Sequence, residues 1–164
     1  MWKPADKNLE ADCVAQSLKK LFSTVHTGSV SVCGDLPWAF TAYLTLDRNK
    51  LWLTSQETTK HVQILRPKRP AAVCLWQAPE KWGAPLFGIQ LHGEIKEVLE
   101  AGEAEIGLEA LHARFEGTRK TLPDVQAVRG PSRRTCLLSI TCAAGSIRDE
   151  RRLPKGRHAI EWQD

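Results

Sequence analysis

Hydroxyl side chains, one lysine and one histidine crowd the segment LTSQETTKH, residues 53–61. A strand that ends at Thr54 and Ser55, followed by a helix that begins near Thr59, would leave backbone N–H groups and hydroxyls close together. Backbone N–H groups, hydroxyls and an ammonium group suit a phosphate dianion. The same residue types also suit a helix cap, which Thr58 or Thr59 would provide. At this point both interpretations stay open.

Three side chains are of a type that handles protons, namely Tyr43, His61 and His92. Histidine qualifies because its unperturbed pKa lies near neutrality. For His92 a solvated or interface position is an equal alternative, and Tyr43 fits a wall residue or a cross-strand partner better. His61 fits a helix-surface residue better than an acid or base. No catalytic residue is therefore assigned.

The cysteines are odd in number, widely spaced and without a C-x-x-C pair. A zinc site would need clustered Cys or His residues, and a nucleophilic cysteine would need a base beside it. The sequence therefore predicts no metal site and small buried thiols at all five positions: Cys13, Cys33, Cys74, Cys136 and Cys142.

The composition is that of one globular domain, residues 1–164, with 26% charged and 42% hydrophobic residues. No apolar run is long enough to cross a membrane and no export signal is visible, so a cytoplasmic location and no membrane partner are expected. The net charge of +4 comes partly from arginine clusters. Aromatic residues do not interleave with these clusters, which makes nucleic acid an unfavoured partner.

Hydrophobic periodicity predicts helices at 6–22 and 103–116 and a short helix that ends before Pro67. Alternation and turn residues predict strands at 26–33, 38–47, 51–54, 71–77, 87–98 and 134–143. Strands joined mostly by hairpins, with few interrupting helices, indicate a mainly β or α+β fold, an antiparallel barrel of about six strands with flanking helices.

The order of these elements, and the residues within them, resemble those of a known protein family. The runs TGSVSVCGDLPWAFTAYLTLDRNKLWLTSQETTKHVQILRPKRPAAVCLW and FGIQLHGEIKEV resemble the FMN-binding split barrel of the pyridoxamine 5′-phosphate oxidase-like family. The likeness extends over residues 6–116, and beyond them it is weak and directed to a small, poorly characterised bacterial branch. It implies a split β-barrel that binds FMN and pairs as a homodimer.

The resemblance also implies positions for the cofactor. Its phosphate would be held by Leu53, Thr54, Ser55, Thr58, Thr59 and Lys60, and its ring would lie against Phe40, Thr41, Ala42 and Tyr43. Gly88 stands where the well-known oxidases carry a ring-contacting Gln, so Gln90 or His92 would approach the ring instead. Thr59 replaces the second phosphate arginine of those oxidases.

The resulting expectation is an FMN-dependent oxidoreductase of unidentified substrate, with a small-molecule electron donor or acceptor. Pyridoxamine phosphate oxidation itself is not expected, because the basic tail at 148–157 does not reproduce the substrate arginines of those enzymes. One alternative is a non-catalytic protein on the same barrel that binds haem or a deazaflavin or stores flavin. Another is a basic interaction module with an empty barrel.

Overall fold

The computed structural model describes residues 1–65 and 68–163. Within them, five helices flank the sheet: α1 Ala11–Thr24, α2 Lys60–Ile64, α3 Ala101–Arg114, α4 Thr118–Thr121 and α5 Gln126–Arg129. The predicted break at Pro67 lies outside the described residues.

Nine strands in the described ranges form one antiparallel sheet. They are β1 Trp2–Pro4, β2 Thr27–Cys33, β3 Pro37–Tyr43, β4 Thr45–Asp47, β5 Lys50–Gln56, β6 Arg69–Gln77, β7 Phe87–Glu97, β8 Thr135–Asp149 and β9 His158–Trp162. Their order is β1-β9-β8-β7-β6-β2-β3, with β5 pairing with β8 and β4 with β5. The predicted mainly β, split-barrel class is confirmed.

The split arises from one hairpin whose two arms separate. Near the turn, β4 pairs with β5, and Thr45 lies opposite Trp52. On the far side of Leu44, β3 pairs with β2, whereas β5 pairs with β8 over its whole length and keeps no partner on its other edge after Trp52 among the described strands. The predicted single strand at 38–47 is therefore two strands, because the chain changes its partner at Leu44. We call the space between the arms Phe40–Tyr43 and Leu53–Gln56 the hairpin cleft.

The long strand β8 holds the sheet together. Its first half pairs with β5, its second half pairs with β9, and its other edge pairs with β7 along most of its length. The register between β7 and β8 shifts between His92 and Gly93, where the strand bulges. The prediction ended this strand at residue 143 and missed β1 and β9, because the second half of β8 lacks a strong hydrophobic alternation.

Two hydrophobic clusters form the interior. The larger cluster fills the barrel and includes the buried face of α1, with Val14, Leu18 and Leu21. The smaller cluster packs α3 against the back of the sheet, where Trp52 is 1% exposed. A Cβ at Gly107 would lie 2.5 Å from the Trp52 ring, so this close helix–sheet approach requires glycine.

The cysteines differ in burial. All five are free thiols; Cys136 and Cys142 are buried, Cys13 and Cys74 are half-buried, and Cys33 is exposed. The prediction of buried thiols is thus correct for two positions and wrong for Cys33, which lies at the end of β2. No group of three or more potential metal ligands occurs in the described part of the chain, and none of its helices is long and apolar enough to span a membrane.

Candidate functional site

The hairpin cleft is bordered by two strand edges. Within the described residues, β3 pairs with β2 alone and the second half of β5 pairs with β8 alone. Both strands therefore direct backbone N–H and C=O groups of their other edge toward the cleft, where they are available to a ligand. One end of the cleft is closed by the β4–β5 pairing, and α2 lies at the other end.

His61, on the first turn of α2, bridges the two arms of the cleft. Its ring stacks on Phe40 of β3, with centroids 3.7 Å apart and planes 5° from parallel. Its Nε2 lies 2.5 Å from the Ser55 Oγ of β5 and 3.2 Å from the Thr59 Oγ1. The two hydroxyls are themselves 3.2 Å apart. His61 is thus half-buried in a polar cluster, and the interpretation as a helix-surface residue is wrong.

The hydroxyl of Thr59 does not cap α2. Thr59 occupies the N-cap position without a side-chain cap hydrogen bond, and its hydroxyl donates to the Gln56 carbonyl at 2.8 Å. A capping threonine would instead accept a bond from an N–H of the first helical turn. Of the two explanations for the hydroxyl-rich segment, the cap at Thr59 is therefore contradicted, and the convergence of polar groups is observed.

Charged groups of both signs surround this cluster. Lys60 is exposed beside it, and Arg133 lies 3.6 Å from the Glu57 carboxylate and forms a second ion pair with Glu97. Two carboxylates thus offset the charge of Arg133, and Lys60 is a further cation that directly follows Thr59 in the sequence. The cluster is suited to an anion of modest charge.

Burial lowers the pKa of His61 below its ordinary value of 6.5. The folded protein therefore binds fewer protons at this ring than the unfolded chain does. The stability that the neutral ring contributes to the fold is present above pH 6.5 and is lost as the pH falls through the lowered pKa.

We expect urea unfolding to show a larger loss of stability from about pH 7.5 to about pH 5 for the wild type than for His61→Gln. His92→Gln, which removes an exposed imidazole, is the control. Equal losses in wild type and His61→Gln would contradict this role.

Most of the predicted cofactor residues border the hairpin cleft. Phe40, Thr41, Ala42 and Tyr43 lie on β3; Leu53, Thr54 and Ser55 lie on β5; and Thr58, Thr59 and Lys60 lie in or just after the connection to α2. Leu53 is fully buried, so only its backbone can serve a ligand. Phe40 and Ala42 pack toward the core, whereas Thr41 and Tyr43 are exposed on the outer face of the sheet.

The two predicted residues on β7 are remote from the cleft along the sheet. Gln90 shares a row on the outer face with Cys74, Ser29 and Thr41, so three strand spacings, roughly 14 Å, separate it from β3. Gly88 lies opposite Trp76, and a Cβ there would lie 2.8 Å from the Leu75 carbonyl oxygen. This crowding accounts for glycine at the position. The structure does not bring these two residues to the other ten within one chain.

The outer face of the sheet carries a shallow groove of about 560 Å³. Polar and small side chains line it, among them Ser29, Cys74, Gln90, His92 and Ser146. His92 is exposed there, in keeping with the solvated or interface alternative. Tyr43 and Trp76 on the same face are 66% and 52% exposed, so this surface presents two accessible aromatic rings.

Solved structures with this fold include proteins of known ligands. A haem-binding protein from Mycobacterium smegmatis superposes with a TM-score of 0.68 on 88% of the chain at 10% identity, and the chain spans 56% of that protein. The haem storage protein from Vibrio cholerae gives a TM-score of 0.62 at 9% identity, over 77% of this chain and 88% of its own. A FAD-binding protein from Mesorhizobium loti gives 0.56 at 12% identity over 99% of both chains.

Identities this low establish a shared fold alone. No protein-family model and no curated protein matches the sequence. At the level of the fold, the likenesses agree with the split barrel that the resemblance of the sequence implied.

Proposed function

We propose that the protein binds a flavin cofactor, FMN, at the hairpin cleft. The observation that carries the proposal is the convergence of the Ser55 and Thr59 hydroxyls with the His61 imidazole beside Lys60. Cofactor binding is also in keeping with the ligands of the haem-binding and FAD-binding proteins of the same fold.

The donor set fits a phosphate monoester. A hydroxyl can turn its hydrogen from a neighbouring acceptor to a phosphate oxygen, so Ser55 and Thr59 would each contribute one donor. Lys60 would contribute the charge, as a solvated point charge rather than a bidentate clamp. Because Arg133 is already paired with Glu57 and Glu97, we assign the cation of this cradle to Lys60, and we expect modest rather than tight FMN affinity.

The ring of the cofactor would lie along the edges of β3 and β5. Backbone N–H and C=O groups at those edges match the alternating donors and acceptors of a flavin ring, and Phe40 and Tyr43 supply apolar and aromatic surface. When bound, the flavin supplies electron transfer. The residues of the chain position the ring, exclude water on one side and set access for a small electron donor or acceptor, which makes an oxidoreductase our preferred activity.

We further propose that a second copy of the chain covers the outer face of the sheet. The exposed aromatic rings of Tyr43 and Trp76 support this, since aromatic residues are enriched in interfaces. A partner placed there would also bring the partner's Gly88 and Gln90. Residues of β7 in one chain would then contact the cofactor bound to the other chain, a contact that the single chain does not offer.

The test is a visible absorbance spectrum of the purified protein after incubation with FMN, riboflavin, FAD or hemin and removal of unbound ligand. We expect FMN to be retained better than riboflavin, because riboflavin lacks the phosphate. Lys60→Ala should weaken FMN retention by about tenfold, which corresponds to one charge-assisted contact. Lys81→Ala, at an exposed position in the loop after β6, is the matched control. The mass of the loaded protein in solution tests the dimer in the same experiment.

Retention of riboflavin equal to that of FMN, or an unchanged affinity in Lys60→Ala, would show that the cluster does not hold a phosphate. A colourless protein after every incubation would reject cofactor binding at the cleft altogether.

Haem is the second candidate, favoured by the exposed imidazole of His92 in the outer groove of about 560 Å³. The His61 Nε2 is engaged with Ser55 and Thr59, so His92 is the better-placed axial ligand. If hemin is retained, His92→Ala should abolish the sharp absorbance band of the complex and His61→Ala should leave it. The opposite pattern would exclude the groove as the haem site.

A further inference from the structure

An apolar cavity of about 500 Å³ lies between α1 and the terminal strands. Its walls include the aromatic rings of Trp2, Phe22 and Trp162 and the aliphatic side chains of Leu18 and Leu46. Trp2 and Trp162 meet edge to face with centroids 5.7 Å apart, and the indole N–H of Trp2 donates to the Arg48 carbonyl at 3.1 Å. The polar edge of Trp2 is therefore satisfied by the protein, and its ring surface remains for apolar contacts.

Two cations, Lys19 and Arg114, border this cavity, and Arg114 has no acidic partner among the described residues. It lies on the last turn of α3 and also lines an adjoining, more polar cavity. Its terminal nitrogen donates to the Val25 carbonyl at 2.8 Å, whereas its Nε is buried and finds no hydrogen-bond partner in the described part of the chain. Its guanidinium also lies 5.5 Å from the Phe115 ring.

The position of Arg114 is energetically unusual. Burial lowers its pKa, because desolvation disfavours the charged form of the guanidinium. A guanidinium stays protonated in proteins, so it retains the charge and carries the cost. An anion bound at the terminal nitrogens of this guanidinium would offset that cost.

The surroundings restrict the kind of anion. The adjoining cavity carries the carboxylates of Asp47 and Glu109, which would repel a dianion such as a phosphate monoester. At the rim of the apolar cavity, Lys19 and Asp12 offset one another in sign. The combination favours a single negative charge at Arg114 and an uncharged, apolar remainder among the aromatic rings.

We propose that this cavity binds an apolar monocarboxylate of the medium-chain fatty acid class. The carboxylate accepts hydrogen bonds from Arg114, and the alkyl chain lies against Trp2, Phe22 and Trp162. A volume of about 500 Å³ lies within the usual range for small-molecule pockets, which are mostly apolar with few polar groups that fix orientation. The site is separate from the hairpin cleft and does not depend on the bound cofactor.

Isothermal titration of the full chain with decanoate, below its micelle concentration, tests the proposal, with 1-decanol and decyltrimethylammonium as ligands of other charge. The wild type should bind decanoate best. Arg114→Gln should weaken decanoate by about tenfold or more and leave decanol unchanged, because a hydrogen bond to a charged group is lost. Arg114→Lys should recover part of the affinity. Lys20→Gln, at an exposed position of α1 that does not line the cavity, is the matched control for charge and should change the affinity little.

Since Arg114 also binds the Val25 carbonyl, near-ultraviolet circular dichroism must show that its variants are folded. Ala15→Trp provides an independent variant, because Ala15 is exposed on α1, lines the cavity and leaves Arg114 intact. It should abolish decanoate binding by filling the space. Wild-type decanoate affinity in both Arg114→Gln and Ala15→Trp would overturn the proposal, as would equal binding of the cationic ligand or no binding of decanoate by the wild type.

Discussion

Gly93→Ala is expected to destabilise the protein by about 3 kcal/mol or more, since overpacking against fixed backbone is among the costly substitutions. A Cβ at this position would lie 2.0 Å from the Thr141 carbonyl oxygen and 2.8 Å from the Cys142 Cα. Both atoms belong to the backbone of the neighbouring strand, so a rotamer change cannot relieve the collision. Gly93 sits at the bulge between β7 and β8, and the two strands would have to separate there.

Urea unfolding at neutral pH measures this effect, with Gly102→Ala as the matched control. Gly102 lies in α3, and a Cβ there would meet no described atom within 4 Å, so alanine should stabilise by roughly 0.5–1 kcal/mol through helix propensity. A loss below about 1 kcal/mol for Gly93→Ala would mean that the bulge relaxes easily and does not fix the β7–β8 register.

Removal of both cluster hydroxyls, in Ser55→Ala/Thr59→Val, should lower FMN affinity by about a hundredfold or more. Two hydrogen bonds to a charged phosphate are lost, and each contributes about 1.5–3 kcal/mol. Riboflavin, without the phosphate, should bind the variant as it binds the wild type. Fluorescence quenching of the flavin on titration with protein measures both affinities.

Thr121→Val is the control for the loss of one hydroxyl outside the cluster. The Thr121 hydroxyl lies on α4 and donates to the Thr118 carbonyl. Wild-type FMN affinity in the double variant would place the phosphate outside the cluster. An equal loss for riboflavin would assign the effect to the shape of the cleft instead of to the phosphate.

The sequence predicts those elements whose hydrophobic pattern does not depend on a partner strand. Along β7, Ile89, Leu91 and Ile95 alternate with polar residues, and the structure buries the first set and exposes Gln90 and His92. Such a pattern depends only on which face meets the core, so it is visible without knowledge of the partner strand.

Features that depend on the partner strand were not predictable. Alternation runs unbroken through Leu44, since Phe40, Ala42, Leu44 and Leu46 share a face, although the strand changes its partner there. The outer half of β8 contains small and polar residues whose extended conformation is stabilised by β7 and β9 on its two edges. Pairing between distant segments leaves no local signal in such a stretch.

The candidate site also contains some features that the local sequence predicts and others that only the fold creates. The hydroxyl-rich segment was visible because its residue types and spacing are local. The stacking of His61 on Phe40 was not, because the two residues lie on different elements and meet only when the arms of the hairpin separate. The burial of Trp52 against α3 likewise depends on a distant residue, because Gly107 lets the helix approach.

The place of β8 in the sheet has a consequence for synthesis on the ribosome. β5 and β7 emerge well before β8, and each lacks its neighbour on one edge until β8 has left the exit tunnel. The nascent barrel thus exposes two open strand edges for much of translation, a state prone to pairing with other chains.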